Sequence, residues 1–472
     1  MSDSHNGGEL KRELGLFSAT IIVVANMVGT GIFTTPGLIA GELDKPISML
    51  VCWILGGLFA VTGALCYGEL GAIYPEAGGE YVYLREGFGK LVGFLSGWVS
   101  LIVGFSAPIA AASIAFAGYV FETLAIPSGP VMTFSLFAVP LVTLSFPTAL
   151  AVTTIVLLSF IHYCGVAFGS TIQNALTLFK IGVIIVFIVT ALAVGQGSMS
   201  HFSGGWRVTD MFQDKFAISL VFVSFAYSGW NAAAYLGAEI RKPDVTLPAS
   251  LILGTILVTS FYLLLNVVYI YSLPKQAMVG VIEIGAKSAV ALFGEYISKY
   301  FSASISLALL SVLSAMIMTG PRVYYAMSRD RVFFESLGRI NSIHKTPARS
   351  IVLQGTIAIL MVITASFDKL LVYIGFTLSI FTSLAVVSLM RLRFATLPNH
   401  PGYKTFGYPV TPLVFILGNL WIIYFSIKSR PITTLWGFLT ICLGIFIFLF
   451  FHCNSSRRES FSQTTNELDH GE

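Results

Sequence analysis

The hydropathy of this chain runs in long apolar blocks rather than in two-residue alternation, which predicts membrane-crossing helices and excludes a β-barrel. A helix needs about 20 apolar residues to cross the hydrocarbon of a bilayer. Blocks of that kind lie near residues 16–40, 48–74, 91–124, 149–168, 171–195, 215–240, 248–272, 301–328, 349–366, 369–392, 408–427 and 433–452. These are twelve expected spans. The stretch 125–148 is also apolar, but Pro127, Pro130, Pro140 and Pro147 make it an irregular outer connection. Residues 273–300 carry scattered charges and are expected to form short helices outside the spans. Residues 1–15 and 454–472 are expected as N- and C-terminal tails, with 1–12 and 454–472 polar and mobile.

Two blocks carry weak helix formers at their centres. Span one contains Val28-Gly29-Thr30-Gly31-Ile32-Phe33, and span six contains Phe225-Ala226-Tyr227-Ser228-Gly229-Trp230-Asn231. Glycine costs about 1 kcal/mol against alanine inside a helix. Gly29 lies 13 residues into its block and Gly229 lies 14. Both therefore stand roughly 20 Å along their helices, near mid-membrane. The breaks correspond if 16–200 and 201–395 are two five-helix repeats, followed by two additional helices in 396–453. Five is odd, so the second repeat is inverted, and paired interruptions in such repeats point to a midplane site.

Unwound backbone is tolerated at membrane depth only where it lines a cavity or binds something. The half-helix beginning at Gly29, Thr30 and Gly31 offers N–H groups to an anion such as a carboxylate. Carbonyls freed around Met27, Val28, Phe225 and Ala226 would accept from an ammonium group. One site with both poles suits an α-amino acid. The plainer alternative is that these glycines only let helices pack closely, and two breaks at matched depth count against it.

Composition agrees with an all-α integral membrane protein: 56% of the 472 residues are hydrophobic, 11% are charged and the mean hydropathy is +0.83. The net charge of +4 matters less than its placement. With the N-terminus inside, 17 Lys and Arg fall in inner segments and 9 in outer ones, while Lys180 lies within a span. That predicts a multi-pass cell-membrane protein with both termini cytoplasmic. No cleavable signal peptide is expected. Cys52, Cys66, Cys164, Cys442 and Cys453 lie in spans or at their ends, with no metal-type or redox-type spacing.

V-G-T-G-I-F, Y-G-E-L-G-A-I-Y-P-E-A-G-G-E-Y (67–81), F-A-Y-S-G-W-N (225–231) and G-A-E-I-R-K-P (237–243) together resemble the amino acid–polyamine–organocation superfamily of transporters. Within it, residues 165–180 and 321–330 are most similar to the L-type amino acid exchangers and their bacterial relatives. The resemblance runs from about residue 12 to 450. It implies the LeuT-like fold, a 5+5 inverted repeat plus two C-terminal helices. It implies that Gly29, Thr30 and Gly31 hold the substrate carboxylate, and that Met27, Phe225 and Ser228 contact the amino group or gate the pocket. Asn231 matches a pocket-side polar position. The tenth span carries Thr377, Leu378 and Ser379 where relatives often have larger or polar residues.

Lys180 stands within span five with no carboxylate at helical-neighbour spacing. A lysine at such depth costs about 2.5–3.5 kcal/mol on insertion scales, so its partner is expected on another helix. In the resembled family a lysine here occupies the place of sodium in sodium-driven relatives. The resemblance thus implies that Lys180 donates to carbonyls near Met27–Gly29, with a hydroxyl such as Ser314, and that coupling needs no sodium. The alternative is a lysine snorkelling to the interface. Glu69 and Glu239 read as the remaining buried acids, with Arg322 or Arg85 as partners in an inner gate. His162 reads as an interface residue, and Asn266 as needing a partner. No acid is expected near mid-depth, which favours neutral substrates over cationic amino acids or polyamines.

The sequence thus predicts a secondary transporter of neutral L-amino acids, working by alternating access without sodium. A proton-coupled symporter, or an antiporter of polyamines or cationic amino acids, is the alternative on the same fold. A channel would need a continuous polar pore, and an enzyme would need a motif such as H-E-x-x-H or G-x-S-x-G; neither is present. Gly29-Thr30-Gly31 lacks the third glycine and the strand of a dinucleotide fold. No cofactor, metal, nucleic acid or covalently linked subunit is expected. The partners are an amino acid and the lipid bilayer.

Overall fold

A computed structural model describes residues 12–469 apart from 125, 128, 130, 137–138, 342, 345, 365–366 and 396–401. The tail before residue 12 lies outside the described residues. The first span is two helices, α1 (Leu16–Met27) and α2 (Thr30–Glu42). The chain returns through α3 (Pro46–Ile73), turns along the short α4 (Glu80–Phe88), and crosses again through α5 (Lys90–Val99) and α6 (Ala107–Leu124). A π-helical segment, Ser100–Ser106, joins the last two. Such segments recur at functional sites, because the wider turn displaces backbone and side chains from α-helical register.

The outer connection is more regular than its prolines suggest. β1 (Met132–Leu136) and β2 (Val139–Leu144) form an antiparallel hairpin, with an irregularity at Phe134/Ser135 where the register shifts against Pro140. Proline donates nothing to a ladder, and an edge or a bulge accommodates it. Next come α7 (Phe146–Tyr163), α8 (Val166–Val194) and α9 (Asp214–Tyr227), which stops at the second break. Then follow α10 (Pro243–Ser272), the expected short outer helices α11 (Lys275–Met278) and α12 (Ile284–Phe293), and α13 (Glu295–Thr319). The chain ends with α14 (Pro321–Arg329), α15 (Ala348–Thr364), α16 (Phe367–Ala395), α17 (Val410–Ser429) and α18 (Pro431–Asp469).

Ten helical stretches among the described residues are long and apolar enough to cross a membrane. α15 has 17 residues, and α9 has 14 because its span is interrupted. Counting both as crossings restores the twelve expected from the sequence. The chain is an all-α integral membrane protein, apart from one hairpin among the described residues. Two details belong to the ends of the described chain. Glu13 and Leu14 donate their amides to the carbonyl of Glu239, and Leu14 bridges Ile240, so residues 13 and 14 are pinned. α18 continues as helix to Asp469, since extending an existing helix avoids the cost of nucleating one.

Ion pairs sort by face. Lys45–Asp210, Lys215–Asp44 and Lys428–Asp214 tie the loops on one side. Arg322–Glu239, Arg393–Glu69 and Arg85–Asp330 lie on the other, the N-terminal face from which α1 starts. Exposed apolar side chains such as Phe160, Val189, Leu417 and Phe446 fit a lipid-facing perimeter.

Candidate functional site

The two breaks meet face to face at the centre of the bundle. Val28 leaves helical geometry at ψ 87° and Gly29 at φ −128°, ψ −147°, before α2 begins. On the other side Ser228 is extended and Gly229 takes φ +93°, a conformation that only glycine adopts without strain. A Cβ on Gly229 would lie 3.0 Å from the backbone of Asn26, and one on Gly31 would lie 2.4 Å from Cα of Ala226. The glycines therefore serve close packing as well as unwinding.

The freed carbonyls are held by two side chains from other helices. Lys180 on α8, with no exposed surface, donates from Nζ to Ala25 O at 3.0 Å and Val28 O at 2.5 Å. Snorkelling is thereby excluded. Tyr262 on α10 shares its hydroxyl between Met27 O at 2.6 Å and Ala226 O at 3.0 Å, joining the two broken helices. Asn266, one turn on, donates to Tyr262 O at 2.8 Å. Ser314 does not serve Lys180; its hydroxyl meets His162 Nε2 at 2.8 Å. His162 is thus a buried residue, 3% exposed, and not an interface residue. Of the α13 hydroxyls, Ser314 meets α7 while Ser311 meets Thr177 of α8 at 3.0 Å, a division that sequence spacing could not show.

Two neighbouring cavities open at the breaks. The smaller, about 20 Å³, is walled by Met27, Gly29, Thr30, Gly31, Phe225, Ala226 and Ser228 among others. A water needs about 10–15 Å³, so this space has room for only a small polar group. The first-turn amides of α2, at Thr30, Gly31 and Ile32, have no acceptor within their own helix and carry the positive end of its dipole. The larger cavity, about 90 Å³, shares Asn26, Ser228 and Met316 with the smaller. Polar groups of Ser224, Asn231, Ser379 and Thr382 line it, with Phe105 and Leu378.

Of the residues singled out from the sequence, Val28 lines neither cavity, and its carbonyl belongs to Lys180. Asn231 faces the larger cavity and donates to Tyr235 Oη at 3.2 Å. Thr377 is buried and its hydroxyl finds no partner among the described residues. The carbonyls of Met27, Val28 and Ala226 already accept from protein donors, so an incoming ammonium would use their second lone pairs or Asn26 and Ser228 nearby.

On the N-terminal face Glu239 accepts from Arg322 Nε at 3.1 Å, as expected. Glu69 departs from expectation: Arg393 binds it through two nitrogens at 2.7 and 2.5 Å, and Thr405 adds backbone and hydroxyl donors at 2.7 Å. These partners come from α16 and the loop after it, far along the chain. Arg85 instead joins Glu76, Glu86 and Asp330. The sequence reading missed Glu80, which is 2% exposed and lines the larger cavity. Its signal was present: an acid beginning a helix directly after two glycines, with Tyr83 and Leu84 where helical spacing would put a cation. It also missed Tyr262, a hydroxyl within an apolar span that must find an acceptor.

Residues 14–456 match the family described as amino acid permease. The chain is 29% identical over 457 residues to the human b(0,+)-type amino acid transporter 1, covering 94% of this chain and 88% of that one. It is 28% identical over 450 residues to the serine/threonine exchanger SteT of Bacillus subtilis (strain 168), covering 94% and 97%. It is 28% identical over 461 residues to the large neutral amino acids transporter small subunit 2 of Oryctolagus cuniculus, covering 94% and 81%.

Proposed function

This chain belongs to the amino acid permease family and is a secondary transporter of amino acids, not an enzyme; on that premise we propose that it exchanges neutral L-amino acids by a sodium-independent, alternating-access cycle. The observation that carries this reading is Lys180 bonded to Ala25 O and Val28 O. Carbonyls freed by unwinding are what a monovalent cation would use. A fixed ammonium on the same carbonyls supplies the charge and leaves that place filled. Gly29, Thr30 and Gly31 bind the substrate carboxylate, while Met27, Phe225, Ala226, Ser228 and Asn26 surround its ammonium. Exchange is further supported by one relative whose name is that of an exchanger.

Five spans in 16–200 and five in 201–395 form the inverted repeats, with 396–453 appended. The protein sits in the cell membrane with both termini in the cytoplasm, so the N-terminal face is the cytoplasmic one and Glu239–Arg322 part of its gate. We assign no disulfide-linked subunit. Among the described cysteines, Cys52 and Cys66 are buried, Cys164 follows α7 on the N-terminal face, and Cys442 lies within α18.

The test is uptake of labelled alanine, serine, threonine and leucine into proteoliposomes in sodium-free buffer, with and without internal amino acid. Uptake that depends on internal substrate is expected. A strict sodium requirement, or uptake of only cationic amino acids, would overturn the proposal.

A further inference from the structure

Three acids are buried among the described residues: Glu69, Glu80 and Glu239. Glu69 and Glu239 are paired with arginines. No ion pair reaches Glu80 among the described residues, yet it lines the larger cavity. Its carboxylate accepts from Tyr67 Oη at 2.6 Å and, more weakly, from Ser96 Oγ at 3.3 Å. A buried carboxyl without a cation is costly when ionised, and the usual escape is to hold a proton.

Its position gives that proton a role. Glu80 starts α4 directly after the strap 75–79 that seals the N-terminal face. Ala77 bridges Leu236, Gly78 donates its amide to Tyr235 O at 3.1 Å, and Gly79 packs so closely on Tyr235 that a Cβ there would lie 2.9 Å from the ring. Residues 228–239 continue from the second break toward the same face. Glu80 therefore lies at the seam between the α3–α4–α5 group and the broken helix. Opening this face parts the seam and lets water reach the carboxyl.

We propose that Glu80 is a proton-binding site linked to gating: it holds a proton while the N-terminal face is closed and ionises when that face opens. The proposal rests on the transporter reading above. Among the described residues, the groups around the carboxyl are uncharged: Tyr67 on α3, Tyr83 on its own helix, Ser96 on α5, Ser388 of α16 on Tyr83 O, and Tyr235 with Asn231 beyond the break. The nearby arginines are engaged, Arg322 by Glu239 and Arg85 by Asp330, Glu76 and Glu86. Burial pushes the Glu80 carboxyl up to about 7, against the lowering effect of the Tyr67 and Ser96 donors. The closed form thus binds more protons than the open, hydrated form. Falling pH favours closure, by up to about tenfold per pH unit between that value and the ordinary carboxylate range. A protonated Glu80 is also neutral, as a cavity for neutral substrates requires.

The experiment is exchange of labelled alanine in vesicles with equal pH on both sides, from about pH 8 to pH 5.5. The wild-type rate should fall several-fold across this range. Glu80→Gln, which mimics the protonated acid, should be slow and insensitive to pH. Tyr67→Phe removes a donor that favours the ionised form, so its midpoint should move to higher pH. A Glu80→Gln variant that keeps the wild-type slope, or a Tyr67→Phe midpoint that does not move, would overturn the proposal. So would wild-type uptake of lysine or arginine that Glu80→Gln abolishes, since Glu80 would then act as a charged cation subsite. Exchange that is absent in the wild type at every pH would sink the transporter reading itself.

Discussion

Lys180 holds two carbonyls that, in an unbroken helix, would accept from the amides of Gly29 and Ile32. Its removal strands both acceptors in a dry interior. Hydrogen bonds to charged groups are worth about 1.5–3 kcal/mol net. Lys180→Ala should therefore lower exchange by roughly tenfold to a hundredfold. Lys180→Met, which keeps most of the volume, should do no better, and added sodium should rescue neither. Exchange at the wild-type rate in Lys180→Ala would show that the break is held by other means. Gly31 tests the opposite limit, close packing. Alanine there would put Cβ 2.4 Å from Cα of Ala226, a backbone atom that cannot rotate away. Overpacking of this kind costs about 1–3 kcal/mol, and here it would widen the seam proposed to bind the substrate carboxylate. Gly31→Ala should fold and reach the membrane but lose at least about tenfold in substrate affinity, measured by competition against labelled alanine.

At the scale of elements, the short pieces matter more than the long helices. The 237–239 turn and α14 meet through Glu239 and Arg322, whose side chains are 10% and 5% exposed. Removing one partner of a buried pair costs about 3–5 kcal/mol because the other charge is left uncompensated. Arg322→Gln should lower the thermal midpoint of the purified chain and make the N-terminal face more accessible to thiol reagents at an introduced cysteine. The double variant with Glu239→Gln should recover much of the lost stability. Equal melting of wild type, single and double variants would assign the pair no part in closure. The sequence marked both residues, because an arginine and an acid at the ends of apolar spans invite pairing. It could not mark Arg393 as the partner of Glu69, for 324 residues separate them and only the fold of α16 over α3 brings them together.

For the whole molecule, topology is the testable quantity. An even number of crossings and the excess of Lys and Arg in the segments assigned inside are the basis for proposing that both termini lie in the cytoplasm. Reporter fusions at residue 1 and residue 472 should both be active inside the cell, and opposite activities would refute the arrangement. By itself, the sequence determined the helical membrane fold, the approximate spans, both broken helices and that Lys180 needs acceptors on another helix. Those features follow from local composition, since a bilayer penalises every unsatisfied backbone group and every charge wherever it stands in the chain. The tertiary structure alone decided which group satisfies which. It placed Tyr262 across both breaks, gave Ser314 to His162 and Arg393 to Glu69, and left Glu80 in the cavity wall with no cation among the described residues. Such pairings depend on which faces of distant helices meet, and sequence periodicity along one helix carries no record of its neighbour's register.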